Sequence, residues 1–373
     1  MFLLEMKRRL CTKYVLFSVL GILIITIGLN FIIVNDIKDI SPNLQEEALY
    51  EGDIAEENLF LALEKVRDEK SQDYYYESQI WIINSLVNSY PGVLYTESKI
   101  SNYPNKYAKE FYDCWRNKFK TLLKRLPIEE QEAGMSKLNE VKTPFVQYPG
   151  YYIYSTAINN IQILFMIILF LVTFFASETY SDSFEDESME IIKTTKAYKK
   201  NMIIRILPVI FYGTLLTLIA TLGTVGIISS TVGLKALKSS FKMIGLFSFG
   251  NFSIGQAIMV MVLAEILGIL ALSTLMGYIS LKTKKTTIAI ASGVSLSIFF
   301  MVASKFESLS TNFIKFLLNS IPMASSQIPL SMTGFSLDFG IWEPYAIMVG
   351  VSITFILSVI ALSIAINKKE VWK

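Results

Sequence analysis

Six long apolar runs alternate with polar stretches along the 373-residue chain. Each run has about 20 residues, the length that a helix needs to cross a bilayer core of about 30 Å. The pattern therefore predicts an all-α polytopic membrane protein with six transmembrane helices. In chain order, the predicted spans are Tyr14–Val34, Ala157–Ala176, Ile206–Ser229, Ala257–Ser280, Thr287–Ser304 and Tyr345–Ile366.

The longest polar stretch, residues 35–155, separates the first two predicted spans. It carries more acidic than basic side chains, and its apolar residues recur at helical spacing, as at Phe111, Trp115 and Leu122. These features predict a helical extracytoplasmic domain inserted between helices 1 and 2. Its aromatic residues, which include Tyr74–Tyr76, either build a compact core or form an acidic surface for a cationic amphipathic ligand.

Basic residues indicate the side of the membrane on which each connecting segment lies. Lys7, Arg8 and Arg9 precede the first span, and further lysines follow the second, fourth and sixth spans. Cytoplasmic segments of membrane proteins carry an excess of lysine and arginine. We therefore expect both termini to be cytoplasmic. The predicted parts are the N-terminus with helix 1 (1–34), the extracytoplasmic domain (35–155) and helices 2–6 (156–373).

A polar island, residues 177–201, lies between the second and third spans and reads SETYSDSFEDESMEIIKTTKAYKKN. Its acids come first and its lysines follow, an order that suits the dipole of a helix. We therefore expect a cytoplasmic amphipathic helix over about 182–202. This helix either anchors a loop at the membrane surface or receives a force-generating partner. Its predicted apolar stripe is Phe184, Ser188, Ile191, Thr195, Tyr198 and Met202.

Composition excludes several classes of function. With 52% hydrophobic and 18% charged residues, the chain has less charge than a soluble protein of its size. It contains no histidine, which excludes Ser-His-Asp and Cys-His catalysis and HExxH zinc sites. It also lacks a GxxxxGK[ST] phosphate loop. We therefore expect no catalytic, cofactor-binding or metal-ligating residues in this chain.

One charged residue, Glu265, falls near the middle of the fourth predicted span. A charged carboxylate at that depth is costly, so it must be protonated, paired or directed into a polar cavity. Pairing with serines or threonines of neighbouring helices would make it a structural residue. A position along a translocation path or at a dimer interface would make it a functional one. The sequence leaves both alternatives open.

The island resembles the signature region of ABC-2-type ABC transporter permeases. In that family a span ends in an acidic residue, and a run like E-x-G-T-x-E-L-L-x-T-T-P leads to a basic residue before the next span. The corresponding residues here are Glu178, the run Glu187–Thr195, and Arg205. The chain departs from the pattern at Glu187 and Lys196, where the family often has Gly and Pro.

The resemblance implies that the island is a coupling helix that touches a separate ABC ATPase subunit. The coupling residues would be Phe184, Glu187, Ser188, Ile191, Thr195 and Tyr198. It further implies short re-entrant helices over about 305–344, and a second permease subunit in a homo- or heterodimer. ATP would be bound by the partner subunit, and this chain would bind membrane lipid but no nucleic acid.

The expected function is therefore that of the membrane-spanning permease subunit of an ATP-driven ABC exporter. The histidine-free composition, rich in lysine, isoleucine and asparagine, suits the plasma membrane of a bacterium. The acidic, aromatic segment 35–155 favours a peptide or an amphipathic antimicrobial as the substrate. A sensor or scaffold that signals through the island is the first alternative. A membrane enzyme acting on lipids is the second, but the chain offers it no clustered acid and base.

Overall fold

The computed structural model describes residues 2–48, 51–68, 78–88, 103–195, 197–305 and 312–367. Six of its helices are long and apolar enough to cross a membrane, which confirms the predicted polytopic helical fold. The fifth predicted run extends one residue beyond its helix, and the other five lie within theirs. The spans are Lys13–Asn35, Ile153–Glu185, Tyr198–Val232, Ile254–Thr283, Thr286–Ala303 and Glu343–Asn367.

Almost all regular structure in the described residues is helical. Two antiparallel ribbons of two residues per strand are the exception, and the sequence pattern did not predict them. β1 (Gly52–Asp53) pairs with β2 (Val146–Gln147), and β3 (Leu337–Asp338) pairs with β4 (Ile341–Trp342). The α-helices are α1 (Phe2–Leu10), α2 (Lys13–Glu47), α3 (Glu56–Asp68), α4 (Ser78–Asn88), α5 (Lys106–Lys109), α6 (Phe111–Leu123), α7 (Ile128–Asn139), α8 (Ile153–Glu185), α9 (Ser188–Thr194), α10 (Tyr198–Ile204), α11 (Leu207–Val232), α12 (Ile254–Thr283), α13 (Thr286–Ala303), α14 (Asn312–Asn319), α15 (Ile328–Ser331) and α16 (Glu343–Asn367).

Helices α8 and α12 form the centre of the bundle. In each, 56% of the residues in the 18-residue apolar stretch are buried inside the protein. Helix α12 packs against α8, α11, α13 and α16. The other extreme is α13, with 22% of this stretch buried. Its exposed side chains are apolar, as at Phe299 and Val302. A helix with apolar residues on its outward face suits contact with lipid rather than water.

The first span continues beyond its predicted end. We expected a boundary after residue 34, but α2 runs on to Glu47. α2 therefore includes Pro42, a residue type that usually ends or kinks a helix. The described helices of the inserted segment, residues 48–152, are α3 to α7. The aromatic run Tyr74–Tyr76 lies outside the described residues.

The described part of the inserted segment packs against one of the loops that connect the spans. Trp115 on α6 is fully buried and donates its indole N–H to the carbonyl of Leu246, 2.9 Å away. Phe119 stacks on Phe249, with ring centroids 5.3 Å apart. The loop between α11 and α12, residues 233–253, therefore shares one apolar core with the inserted segment. Apolar side chains on both surfaces are removed from water only when the two parts meet.

Segment 305–344 contains short helices. Its residues 306–311 lie outside the described part of the chain. After α14, the chain forms a 3-10 helix, Pro322–Gln327, and then α15. Five residues of the 3-10 helix, Pro322–Ser326, are buried. Since the backbone of such short helices has few internal hydrogen bonds, burial against protein rather than lipid is the arrangement that suits it.

A buried lysine lies in the loop that receives the inserted segment. Lys242 is in a 3-10 helix, Phe241–Met243, and its side chain is 3% exposed. Its ammonium group has no hydrogen-bond partner among the described residues. Burial lowers the pKa of Lys242 from 10.5 to about 7. The side chain of Lys242 is therefore protonated less readily in the folded protein than in the unfolded chain.

We expect Lys242→Met to stabilise the protein by about 1–3 kcal/mol, because an unpartnered polar group is replaced by a flexible apolar one. Between pH 7 and pH 10.5 the unfolded chain binds more protons than the folded one. The stability of the unmodified protein should therefore rise with pH across this window. The gain in the free energy of unfolding from Lys242→Met should be largest at or below pH 7 and should decrease above it. Melting temperatures across this range test the prediction, with exposed Lys238→Met as the control. An equal pH dependence in both variants would contradict it.

Candidate functional site

The island is not one helix, which corrects the prediction for residues 182–202. Helix α8 continues to Glu185, and Glu187 then adopts a left-handed conformation with φ 62°. Before α9, the carboxylate of Asp186 accepts a hydrogen bond from the backbone N–H of Ser188 at 2.9 Å. Hydrogen bonds from the hydroxyl and the backbone N–H of Ser188 lower the pKa of Asp186. Thr195 is extended and separates α9 from α10. These two breaks rotate each short helix relative to the next.

The breaks divide the predicted apolar stripe between two environments. Met202 is fully buried, and Phe184 and Tyr198 are half-buried against the ends of the spans. Ser188 is also half-buried, whereas Glu187, Ile191 and Thr195 are exposed. The predicted coupling residues therefore do not form one continuous surface. Ile191, with 71% of its surface exposed, is the large apolar side chain that α9 presents outward.

Two inward-facing residues of α9 were missed by the sequence pattern. Met189 is 1% exposed, and Ile192 packs against the same cluster of buried residues at the ends of the spans. A stripe drawn through an uninterrupted helix omits both, because it assumes that the helical phase continues through Glu187. The signal that could have located the break is Asp186, a residue type that caps helices and begins turns.

Hydrogen bonds connect the island to the ends of three later spans. The hydroxyl of Tyr198 donates to the carbonyl of Ile366 on α16 at 3.1 Å. The carboxylate of Glu185 accepts from the backbone N–H of Thr286 at 2.8 Å and from its hydroxyl at 3.1 Å, at the start of α13. Ser280 on α12 accepts from the backbone N–H groups of Tyr180 and Ser181, at 3.1 and 2.9 Å. Movement of the island would therefore act on α12, α13 and α16.

The N-terminal helix α1 is held on the island by a buried arginine. Arg9 is 6% exposed and donates to the carbonyl of Glu178 at 2.8 Å and to the hydroxyl of Thr179 at 3.4 Å. The carboxylates of Glu5 and Asp182 each lie 3.9 Å from its guanidinium group. Burial lowers the pKa of Arg9, and the two carboxylates oppose this shift. Since arginine is so strongly basic, the group stays charged.

Arg9 was counted in the sequence only as evidence of orientation, so its structural role was missed. The family resemblance selected Glu178 and Arg205. The two residues do not form an ion pair with each other. Glu178 contributes its backbone carbonyl to Arg9, while its side chain is exposed. Arg205 is 7% exposed and donates to the hydroxyl of Ser183. The acids that pair with Arg9 are Glu5 and Asp182, and Asp182 lies one turn after Glu178.

Glu265 lies at the contact between α12 and the 3-10 helix Pro322–Gln327. It is fully buried, and one carboxyl oxygen is 3.0 Å from the hydroxyl of Ser325. The other carboxyl oxygen has no partner among the described residues. Gln162 on α8 donates a hydrogen bond to Gln327 of the same 3-10 helix at 2.8 Å. The structure thus places Glu265 against a serine of the 3-10 helix.

Comparison with known proteins does not add a family to this description. No protein-family model, no curated protein and no solved structure matches the chain. What the structure shows is a helical fold with six candidate membrane spans. Any more specific function depends on the geometry of the island and its contacts.

Proposed function

We propose that this chain is the membrane-spanning permease subunit of an ATP-driven ABC exporter. In this proposal a separate ATPase subunit docks on the island, binds the ATP and moves the island during its cycle. The observation that carries the proposal is the set of hydrogen bonds from the island to α12, α13 and α16. Since α8 and α10 enter the island directly, a force applied there reaches five of the six candidate spans.

The conformation of Glu187 also supports the proposal. Glu187 has φ 62°, a left-handed conformation that favours glycine over residues with a side chain. The family that the island resembles often has glycine at this position. The chain therefore keeps the backbone turn that glycine would provide, although its residue there is glutamate. The left-handed conformation at this position therefore supports the resemblance in addition to the few matching residue types.

The proposed orientation places the island in the cytoplasm of a bacterium and the inserted segment outside the plasma membrane. Both termini would then be cytoplasmic, as the distribution of lysine and arginine favours. The acidic inserted segment would meet the substrate, for which a peptide or amphipathic antimicrobial is the proposed class. A second permease subunit, identical or different, would complete the transporter.

We expect Ile191→Glu to release the ATPase subunit without unfolding the permease. Burying an isoleucine side chain in a groove of the partner contributes about 1.5–3 kcal/mol, so its loss should weaken docking about tenfold or more. Ile191 is exposed in the isolated chain, and surface substitutions change stability by about 0.5 kcal/mol or less. The measurement is co-purification of an ABC ATPase encoded beside this gene, together with transport-dependent ATP hydrolysis in vesicles.

The matched control is Ile128→Glu, because Ile128 is also an exposed isoleucine, with 86% of its surface accessible, but lies on the inserted segment. It should leave docking unchanged. Phe184→Ala should instead lower stability, since its ring packs against the ends of the spans. Full ATPase binding by Ile191→Glu would show that α9 is only a membrane anchor. Absence of any ATPase partner, with a signalling protein bound instead, would favour the sensor.

The orientation can be tested by cysteine labelling in intact cells. Cys11 and Cys114 are unpaired, so both are first replaced by serine. A single cysteine at Ile128 should then react with a membrane-impermeant thiol reagent. One at Thr194, which is exposed on α9, should react only after the membrane is permeabilised. Labelling of Thr194→Cys from outside would reverse the orientation and remove the ATPase from the proposal.

A further inference from the structure

A small cleft at the island is lined by polar groups that the proposed docking does not use. It lies among three short helices, with Glu5 from α1, Ile192 from α9, and Asn201 and Ile204 from α10, and Arg205 follows directly. Two of these residues, Asn201 and Arg205, are each 7% exposed. The cleft therefore offers a buried amide and a buried guanidinium beside two isoleucines.

Arg205 brings a positive charge into this cleft without a matching acid. Among the described residues its hydrogen bond goes to the neutral hydroxyl of Ser183, and no carboxylate lies within 4.0 Å of its guanidinium group. Removing a charge from water without a counter-ion is costly. A planar guanidinium also matches the geometry of a phosphate or carboxylate. The first requirement of an occupant is therefore an anionic group.

Asn201 defines a second requirement, because its amide orientation follows from the neighbouring hydrogen bonds. The hydroxyl of Thr195 donates its single proton to the carbonyl of Ile192 at 2.7 Å. Thr195 can therefore only accept from Asn201, so the amide nitrogen of Asn201 faces it, at 3.4 Å. Among the described residues, the amide oxygen of Asn201 is buried and has no hydrogen-bond partner. An occupant must thus also supply a hydrogen-bond donor.

The remaining acid in the cleft is already compensated. Glu5 pairs with Arg8 at 3.1 Å and lies 3.9 Å from Arg9. Its charge also acts on Arg205 from beyond 4.0 Å, as does that of Asp182, and therefore weakens an anion site there. Removing the charge of Glu5 should therefore strengthen the binding of an anion in the cleft.

The position of the cleft favours a lipid as the occupant. Arg205 is in the first turns of the third candidate span, and Glu5 is on the helix that precedes the first span. Beside the cleft, Ile203 and Leu207 are 60% and 40% exposed, as expected of residues that face hydrocarbon. The cleft is therefore at the boundary between the spans and the aqueous phase, where phospholipid head groups lie.

We propose that this cleft binds the head group of an anionic phospholipid, with its phosphate on Arg205 and a head-group hydroxyl on the amide oxygen of Asn201. Phosphatidylglycerol has both groups, whereas phosphatidylcholine has neither a net negative charge nor a donor. A carboxylate from a docked protein would meet Arg205 but leave Asn201 without a donor. The proposal requires only the membrane fold, so it stands independently of the ATPase.

The test measures phosphatidylglycerol retained by the purified full chain in detergent, by native mass spectrometry, with phosphatidylcholine as the reference lipid. Asn201→Asp places a carboxylate beside the phosphate and should weaken retention about tenfold or more, equivalent to about 1.4 kcal/mol. Glu5→Gln should strengthen retention. The control pair Lys199→Gln and Lys200→Gln removes exposed charge next to the cleft and should leave retention unchanged.

Four outcomes would overturn the proposal. One is equal retention of the two lipids. A second is equal retention of phosphatidylglycerol by Asn201→Asp and by the unmodified chain. If Asn201→Asp does not fold, the corresponding outcome is that Glu5→Gln fails to retain more phosphatidylglycerol than the unmodified chain. A third is displacement of the lipid by millimolar inorganic phosphate, which would indicate a site for free phosphate. The fourth is loss of ATPase binding in Asn201→Asp with lipid retention intact, which would assign the cleft to the protein partner.

Discussion

Trp115→Ala should destabilise the protein by about 3–5 kcal/mol, the cost typical of removing a buried tryptophan side chain. Trp115 is fully buried at the contact between α6 and the loop of residues 233–253. Its ring also lies 5.2 Å from that of Phe145, nearly perpendicular to it. Alanine would leave a cavity in the shared core and remove the donor for the carbonyl of Leu246.

The variant should also change the relation of the inserted segment to the bundle. Because one apolar core joins the two parts, a cavity there should increase proteolysis of the inserted segment at temperatures where the bundle stays folded. Trp115→Phe weights the two contributions differently, since it loses the hydrogen bond but leaves a smaller cavity than alanine does. We expect it to cost about 1–3 kcal/mol, the penalty of an unsatisfied buried acceptor.

The measurement is the melting temperature of each variant in detergent, followed by limited proteolysis. Ile128→Ala is the control, because Ile128 is 86% exposed on the same segment and should melt like the unmodified protein. If the free energies of unfolding of Trp115→Ala and the control differed by about 0.5 kcal/mol or less, the inserted segment would be an independent domain that only its linkers attach to the bundle.

Gly268→Ala should have the second large effect, because Gly268 on α12 lies directly against the 3-10 helix Pro322–Gln327. A Cβ atom on Gly268 would lie 2.0 Å from the hydroxyl oxygen of Ser325 and 3.1 Å from the carbonyl oxygen of Pro322. The Cβ atom of Ser325 would also be only 2.7 Å away, and since it moves only with its backbone, the 3-10 helix must shift. That movement would break the hydrogen bond from Ser325 to Glu265. We expect a cost of about 1–3 kcal/mol from overpacking.

The same substitution at Gly226 should have the opposite sign. Gly226 lies in α11, and no atom within 4 Å would meet its Cβ. Alanine there should stabilise the helix by about 0.5–1 kcal/mol, because glycine loses more conformational freedom on folding. Melting temperatures of the two variants in the same detergent test both signs together. Equal shifts would show that the close contact of Gly268 with the 3-10 helix contributes nothing.

Hydropathy alone was sufficient to locate the spans, because a helix that crosses a bilayer must be apolar over its whole length. The same logic failed at the island. Its residues alternate in a way that fits one amphipathic helix, yet Glu187 and Thr195 interrupt it. Local propensities for these breaks are weak, and the contacts of Met189 and Met202 with the ends of the spans decide the outcome.

The chain's sequence therefore determined, by itself, the membrane class of the fold, the number of candidate spans and the helical character of the inserted segment, since each follows from local periodicity. Tertiary structure alone decided which polar groups meet. Arg9 contacts Asp182 across 173 positions of chain, and Glu265 contacts Ser325 across 60. Such pairs depend on how helices pack, and the sequence spacing of two residues carries no record of the distance between their helices in space.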